Sequence, residues 1–172
     1  MEINYFKLHE IIELASSEQI ELIKKSYLKL LGELTETPEI STSKFIININ
    51  SICSYGCIWV GVVGNINDKG IVQNIDKSFE IVGSGTIIIE QKIIRGGKSV
   101  GHIEDIVVKK SFRGKKISQN ILNLLKDYAE KKNCYKVILD CVEDVVPVYK
   151  SNGFEVKGVQ MVEYFTNNLT II

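Results

Sequence analysis

Three cations, Arg113, Lys115 and Lys116, crowd one turn in the stretch GHIEDIVVKKSFRGKKISQNI, residues 101–121. The turn follows an apolar run that carries two adjacent acids, Glu104 and Asp105, and precedes an amphipathic one. A helix N-terminus already bears partial positive charge, so Lys and Arg are unfavourable there, and Ser or Asp is the ordinary cap. Unfilled amide donors together with cations suit an anion, most naturally a phosphate. The alternative at this point is a solvated basic turn.

The elements around that turn follow from hydrophobic spacing. Ile117, Ile121, Leu124, Leu125 and Tyr128 recur at steps of three and four, which predicts a helix with one apolar face. The run before the turn predicts a central strand over Ile103–Val108. Upstream, Ile3–Leu8 reads as a strand, and Ser16 and Ser17 before Glu18 start a helix that reaches Leu34 and stops at Pro38. A weaker helix covers Ser43–Ser54. Cys57–Val63 reads as a buried strand, Asn65–Lys77 as a hairpin loop, and Phe79–Ile94 as a long strand in which Gly83 and Gly85 permit a bulge. Arg95–Ser99 is a short turn. After the amphipathic helix come a strand at Tyr135–Val142, a short helix at Val145–Ser151 and a last strand from Phe154 to about Phe165. The order describes one α/β domain around a mixed sheet over residues 1–172.

Composition narrows the function classes. At 172 residues with a formal net charge of +0, the chain has no bulk charge for nucleic acid, and its basic residues form one turn rather than a stripe. No window spans a bilayer, and MEINYFKLHE lacks a secretory signal's basic start and apolar run. A cytoplasmic protein is expected. Cys53, Cys57, Cys134 and Cys141 lack the paired spacing of a zinc site. With His9 and His102 the only histidines, no Cys–His nucleophile stands out, and the cysteines read as buried apolar thiols.

The strand with its acid pair, the basic turn into a helix and Tyr149-x-x-x-Gly153-Phe154 resemble the GNAT superfamily of acyl-CoA N-acetyltransferases. GHIEDIVV, RGKK, NCYKVILDC, VYKSNGF, GTIIIEQKII and LGELTET, spread from about Leu31 to Met161, are similar to its glucosamine 6-phosphate N-acetyltransferase branch. The resemblance implies a GNAT fold: a central mixed, mostly antiparallel sheet, splayed in the middle, with helices on both faces. It implies acetyl-CoA as cosubstrate and no metal. The backbone of Ile106, Val107 and Val108 would pair with the pantetheine amides as an open strand edge does. Arg113, Gly114, Lys115, Lys116, Ile117 and Ser118 would hold the pyrophosphate. A small amino-sugar phosphate would meet Thr35, Lys92, Ile93, Ile94, Arg95, Glu104, Asp105, Tyr135 and Lys136. Some of these would come from the second subunit of a homodimer with a shared active site, and the product would feed UDP-N-acetylglucosamine biosynthesis.

For the chemistry, the resemblance suggests Asp140 and Glu104 as carboxylates that take a proton from the sugar ammonium, directly or through water. Tyr149 is the candidate proton donor to the coenzyme thiolate and a coenzyme contact, since a phenol with a pKa of about 10 is protonated at neutral pH. Three departures stand against the family pattern: Ser118 replaces a loop glycine, Val145 replaces an Asn that contacts the coenzyme, and Val162-Glu163-Tyr164-Phe165 stands where a phosphate-binding Arg is usual. Alternatives are a GNAT enzyme for another amine, such as a peptide N-terminus or polyamine, and a non-catalytic acetyl-CoA-binding dimer module.

Overall fold

A computed structural model describes residues 2–64, 75 and 78–165. The chain forms two compact units, Met1–Leu139 and Asp140–Ile172. In the first, five strands run in the spatial order β1 (Asn4–Lys7), β2 (Gly56–Val63), β3 (Glu80–Gln91), β4 (Ser99–Val108), β5 (Cys134–Ile138). The first four pair antiparallel and β5 joins β4 in parallel, so the sheet is mixed as expected.

Helices cover both faces. On one side α1 (Leu8–Leu14), α2 (Ser17–Leu31) and α3 (Thr42–Tyr55) enclose a core with Ile58, Val60, Val62, Ile81 and Val107. Sequence reading did not foresee α1, which starts at the very next residue after β1; Leu8, Ile11 and Ile12 bury one face of it. Ser16 starts α2 through a capping box with Gln19, while Ser41 caps α3 by accepting from the Lys44 amide at 3.2 Å. Helix α2 stops at Leu31, three residues before the expected end. Gly32 is its C-cap and the Thr37 hydroxyl folds back onto the Leu28 carbonyl at 3.1 Å, so Pro38 is not what ends it.

The other face belongs to α5 (Ile117–Lys131), which buries Ile117, Ile121, Leu122, Leu125 and Ala129; of the expected apolar face, Leu124 and Tyr128 are only half-buried. The helix lies so close to β3 that Gly85 has no room for a side chain. A Cβ there would stand 2.5 Å from Ile106 Cδ1, 2.7 Å from Ile121 Cγ2 and 3.1 Å from Leu125 Cδ1. Gly85→Ala should therefore cost about 2 kcal/mol of stability by overpacking, read as a lower urea midpoint with unchanged slope. An unchanged midpoint would show that α5 can back away.

Tyr27 of α2 is buried against the sheet, within 3.4 Å of Ser84 Oγ, and burial pushes its phenol up to about 12. The folded state thus holds that proton more tightly than the unfolded chain, whose phenol titrates near 10. The associated stability is intact below pH 10 and is lost as pH rises towards 12, by about 3 kcal/mol in all. Tyr27→Phe should flatten that alkaline loss in denaturation curves taken between pH 9 and 12. An equally steep loss would assign it to other groups.

Several boundaries differ from expectation. β3 ends at Gln91, which leaves Ile93 and Ile94 exposed on the following turn. That turn, α4 (Ile94–Gly97), is a tight reversal in which Arg95 and Gly96 are left-handed. β5 ends at Ile138, so Asp140 is not on a strand. In the second unit α6 (Val146–Ser151) forms as read, but residues 154–165 form no strand. A strand needs a partner ladder, and the Val159 and Met161 side chains of this segment are almost fully exposed. Only Cys57 is buried; Cys53 and Cys134 are half-buried and Cys141, beyond the end of β5, is exposed. The expected hairpin loop at Asn65–Lys77 falls almost wholly outside the described residues. Among the described residues no helix is long and apolar enough to cross a membrane, and no cluster of His, Cys, Asp and Glu could hold a metal.

Candidate active site

The ladder between β3 and β4 is interrupted where the two acids lie. Ser84 pairs with Val107 and Thr86 with Glu104, so Asp105 and Ile106 together oppose the single residue Gly85. This is a β-bulge, and Asp105 takes it up by adopting φ 52. β3 has its own bulge against β2, where Val82 is the extra residue beside the foreseen Gly83, whereas opposite Gly85 the extra residue is on β4. On its other side β4 pairs with β5 only from Ser99 to His102. From Ile103 to Val108 that edge has no partner strand among the described residues, so the sheet opens at the bulge. Ile106, Val107 and Val108 all lie on the open stretch. An extended amide-bearing chain fits such an edge.

The open edge leads directly into the basic turn. Residues 110–112 make one 3-10 turn, and Gly114 and Lys116 are left-handed at φ 79 and 60 before α5 begins. The first backbone bond into the helix is Asn120 N–H to Lys116 O at 3.0 Å. Ile117, Ser118 and Gln119 precede that bond, no side chain caps the turn, and the first turn contains no acid. An anion is the partner these amides fit. Ser118, which replaces a loop glycine, lies inside the helix and needs none of glycine's freedom. Lys116 carries that conformational cost instead.

Two further residues shape the turn. Phe112 lies beneath Lys115, whose Nζ stands 4.6 Å from the ring centroid, and a cation–π contact of this kind restricts where the lysine points. An aromatic among the cations of KKSFRGKK was its sequence signal. Glu33, just beyond α2, accepts from the Lys110 amide at 2.9 Å and lies 3.9 Å from Arg113 Nη2. Nothing local in the sequence links residues 77 apart.

The residues expected to hold the sugar phosphate divide into groups. Arg95 and Lys136 both lie against the Tyr135 ring, with the guanidinium 5.8 Å and the ammonium 5.7 Å from its centroid. The left-handed turn at Arg95 thus brings a β3–β4 residue to the start of β5. Lys92 is engaged differently: it is paired with Glu90, which also accepts from His102 Nε2 at 2.8 Å. Lys92 first, then His102, holds the Glu90 carboxyl below its usual range. Ile93 and Ile94 are exposed beside Arg95. Thr35 is exposed just past α2, its amide bonded to Leu31 O at 3.3 Å. Glu104 and Asp105 are exposed at the bulge, away from the Arg95–Tyr135–Lys136 cluster. Val100 pairs with Lys136, and the five steps from Val100 to Asp105 span about 16 Å of strand.

In the second unit, Asp140 is exposed and accepts from Gln160 Nε2 at 3.0 Å. Tyr149 is half-buried on α6. The helix ends in a Schellman motif: Phe154 N–H reaches Tyr149 O at 3.1 Å, Gly153 N–H reaches Lys150 O at 3.0 Å, and Gly153 is left-handed at φ 85. The Tyr149 and Phe154 rings meet edge-on at 5.9 Å, the apolar contact that accompanies such a cap. The pattern Tyr149-x-x-x-Gly153-Phe154 is therefore also a helix-ending device. It presents a phenol whose pKa burial, and to a smaller extent Cys141, raises further. Val145 directly precedes α6, and Glu163 lies in the irregular 154–165 segment.

Comparison with known proteins agrees with this geometry. The model of the Acetyltransferase (GNAT) family matches residues 55–154. The glucosamine 6-phosphate N-acetyltransferase of Arabidopsis thaliana is 34% identical over 144 residues, 83% of this chain and 89% of the relative. That of Candida albicans is 38% identical over 136 residues, 79% of this chain and 85% of the relative. The crystal structure of the Arabidopsis enzyme superposes with a TM-score of 0.76 at 29% identity, covering 96% of this chain and 99% of that one. A family match across more than half the sequence, on a sheet that opens beside a basic helix start, means that this chain belongs to the GNAT family of acetyltransferases.

Proposed function

We propose that the protein transfers the acetyl group of acetyl-CoA to the amine of D-glucosamine 6-phosphate, giving N-acetyl-D-glucosamine 6-phosphate and CoA. The carrying observation is the open β4 edge at residues 103–108 running into the uncapped, cationic start of α5. Its substrate identity rests on the likeness to glucosamine 6-phosphate N-acetyltransferases over most of the chain. The family match runs unbroken through residues 139 and 140, which supports reading residues 1–172 as one acetyltransferase domain. The product suits a cytoplasmic step that leads to UDP-N-acetylglucosamine.

Bound acetyl-CoA supplies the thioester. Backbone groups of Ile106, Val107 and Val108 hold the pantetheine arm, and amides of the open edge polarise the carbonyl oxygen as negative charge develops. Arg113, Lys115, Lys116 and the amides from Gly114 to Ser118 hold the pyrophosphate. Glu104 and Asp140 are the carboxylates that accept the ammonium proton, directly or through water. Tyr149 gives its proton to the thiolate as the carbon–sulfur bond breaks.

Arg95, Tyr135 and Lys136 bind the sugar phosphate, with Asp105, Thr35 and the Lys92–Ile94 segment completing the pocket. The strand separation between that cluster and the bulge favours a homodimer in which the cluster of one subunit faces the bulge of the other. Mixing inactive Tyr149→Phe and Lys136→Glu subunits tests this: a shared site regains activity in mixed dimers, and separate sites do not.

Glu163, where the family keeps an arginine, favours a second reading, acetylation of another amine. Thiol release with glucosamine 6-phosphate, a polyamine and a peptide panel, with the new amide identified by NMR, separates the two. Coenzyme binding with no thiol release from any amine would instead indicate a non-catalytic module.

A further inference from the structure

We propose that Glu33 is a positioning residue for the coenzyme loop, an inference that rests on the reading of residues 113–118 as the pyrophosphate site. Its carboxylate reaches the loop from just past the end of α2. Glu33 Oε2 accepts from the Lys110 amide at 2.9 Å, and the same oxygen lies 3.9 Å from Arg113 Nη2. The first contact is short and charge-assisted, and the second is long and partly solvated, so the amide bond carries the effect.

That amide opens the 3-10 turn of Lys110–Phe112, which closes through Phe112 N–H to Lys109 O at 2.8 Å. Fixing the turn fixes the Phe112 ring, and the ring seats the Lys115 ammonium. Arg113 is held from a second side, by its own Nε–H donating to Val108 O at 3.4 Å. Glu33 thus orders two of the three cations from below, although it is itself an acid and no ligand for an anion. It also lies two residues before Thr35, so the loop is tied to the segment assigned to the sugar. An unfastened turn would have to be ordered each time the coenzyme binds, which weakens binding without altering the reacting groups.

The test is CoA binding by calorimetry to the full-length protein and to Glu33→Ala and Glu33→Gln, with melting temperatures and steady-state kinetics alongside. Glu33→Ala should weaken CoA binding and raise KM for acetyl-CoA about tenfold, the scale of one hydrogen bond to a charged group, with kcat within twofold. Glu33→Gln, which keeps an acceptor for the Lys110 amide, should recover most of the loss. A purely structural residue would lower the melting temperature and leave the CoA affinity of the folded protein unchanged. If the unsubstituted protein binds CoA and Glu33→Ala binds it equally well, the role of Glu33 is overturned and the coenzyme site stands. If the unsubstituted protein binds no CoA, the coenzyme site itself falls and the role of Glu33 with it.

Discussion

Replacing Tyr149 by Phe is expected to lower kcat roughly a hundredfold while the protein stays folded. The ring is retained, so its edge contact with Phe154 and the Schellman end of α6 survive. Only the hydroxyl is lost, and with it the proton for the departing thiolate; about a hundredfold is the low end for losing a general acid. Burial raises the phenol above its ordinary value near 10, which keeps it protonated through neutral pH. A donor must carry its proton, so a raised pKa moves the alkaline loss of activity upward. The kcat profile should show no falling limb from Tyr149 below about pH 10. Unchanged turnover in the Phe variant would remove Tyr149 from the mechanism.

Arg95→Ala should raise KM for glucosamine 6-phosphate by roughly 10- to 100-fold, the range for losing one hydrogen bond between charged groups. The effect should vanish with unphosphorylated glucosamine. Lys92→Ala should change the phosphorylated substrate's KM much less, because Lys92 is committed to Glu90, whereas Arg95 and Lys136 both lie at Tyr135. Sequence alone named Arg95 and Lys92 together among the contacts to the sugar phosphate. A larger effect at Lys92 than at Arg95 would contradict the arrangement.

How much was legible varies with how local the cause is. Helix α5, the buried β2 and the capping serine of α2 depend on residues a turn or a strand apart, and all appear where the pattern put them. The basic turn was readable for the same reason: cations at a helix start conflict with the helix itself. Non-local causes left weaker traces. Gly83 and Gly85 signalled a bulge, and β3 has one against β2 beside Gly83, but the second extra residue, opposite Gly85, lies on β4 because of the register between β3 and β4. Residues 154–165 are rich in Val and aromatic residues, as strands are, yet a strand forms only with a partner, and its own sequence cannot supply one. The cost of the loop's departure from the glycine pattern fell on Lys116 rather than Ser118 because α5 begins at Ile117, a boundary one residue finer than periodicity resolves. The tie between Glu33 and Lys110 exists only in three dimensions.

The most direct test is the ratio of kcat/KM for glucosamine 6-phosphate to that for glucosamine, measured by CoA thiol release. A phosphate held by Arg95 and Lys136 contributes binding that glucosamine lacks, so the ratio should exceed about a hundred, one to two charge-assisted hydrogen bonds. A ratio near one, or faster release with a polyamine or peptide, would leave the acetyltransferase fold standing and contradict the assignment of an amino-sugar phosphate as its substrate.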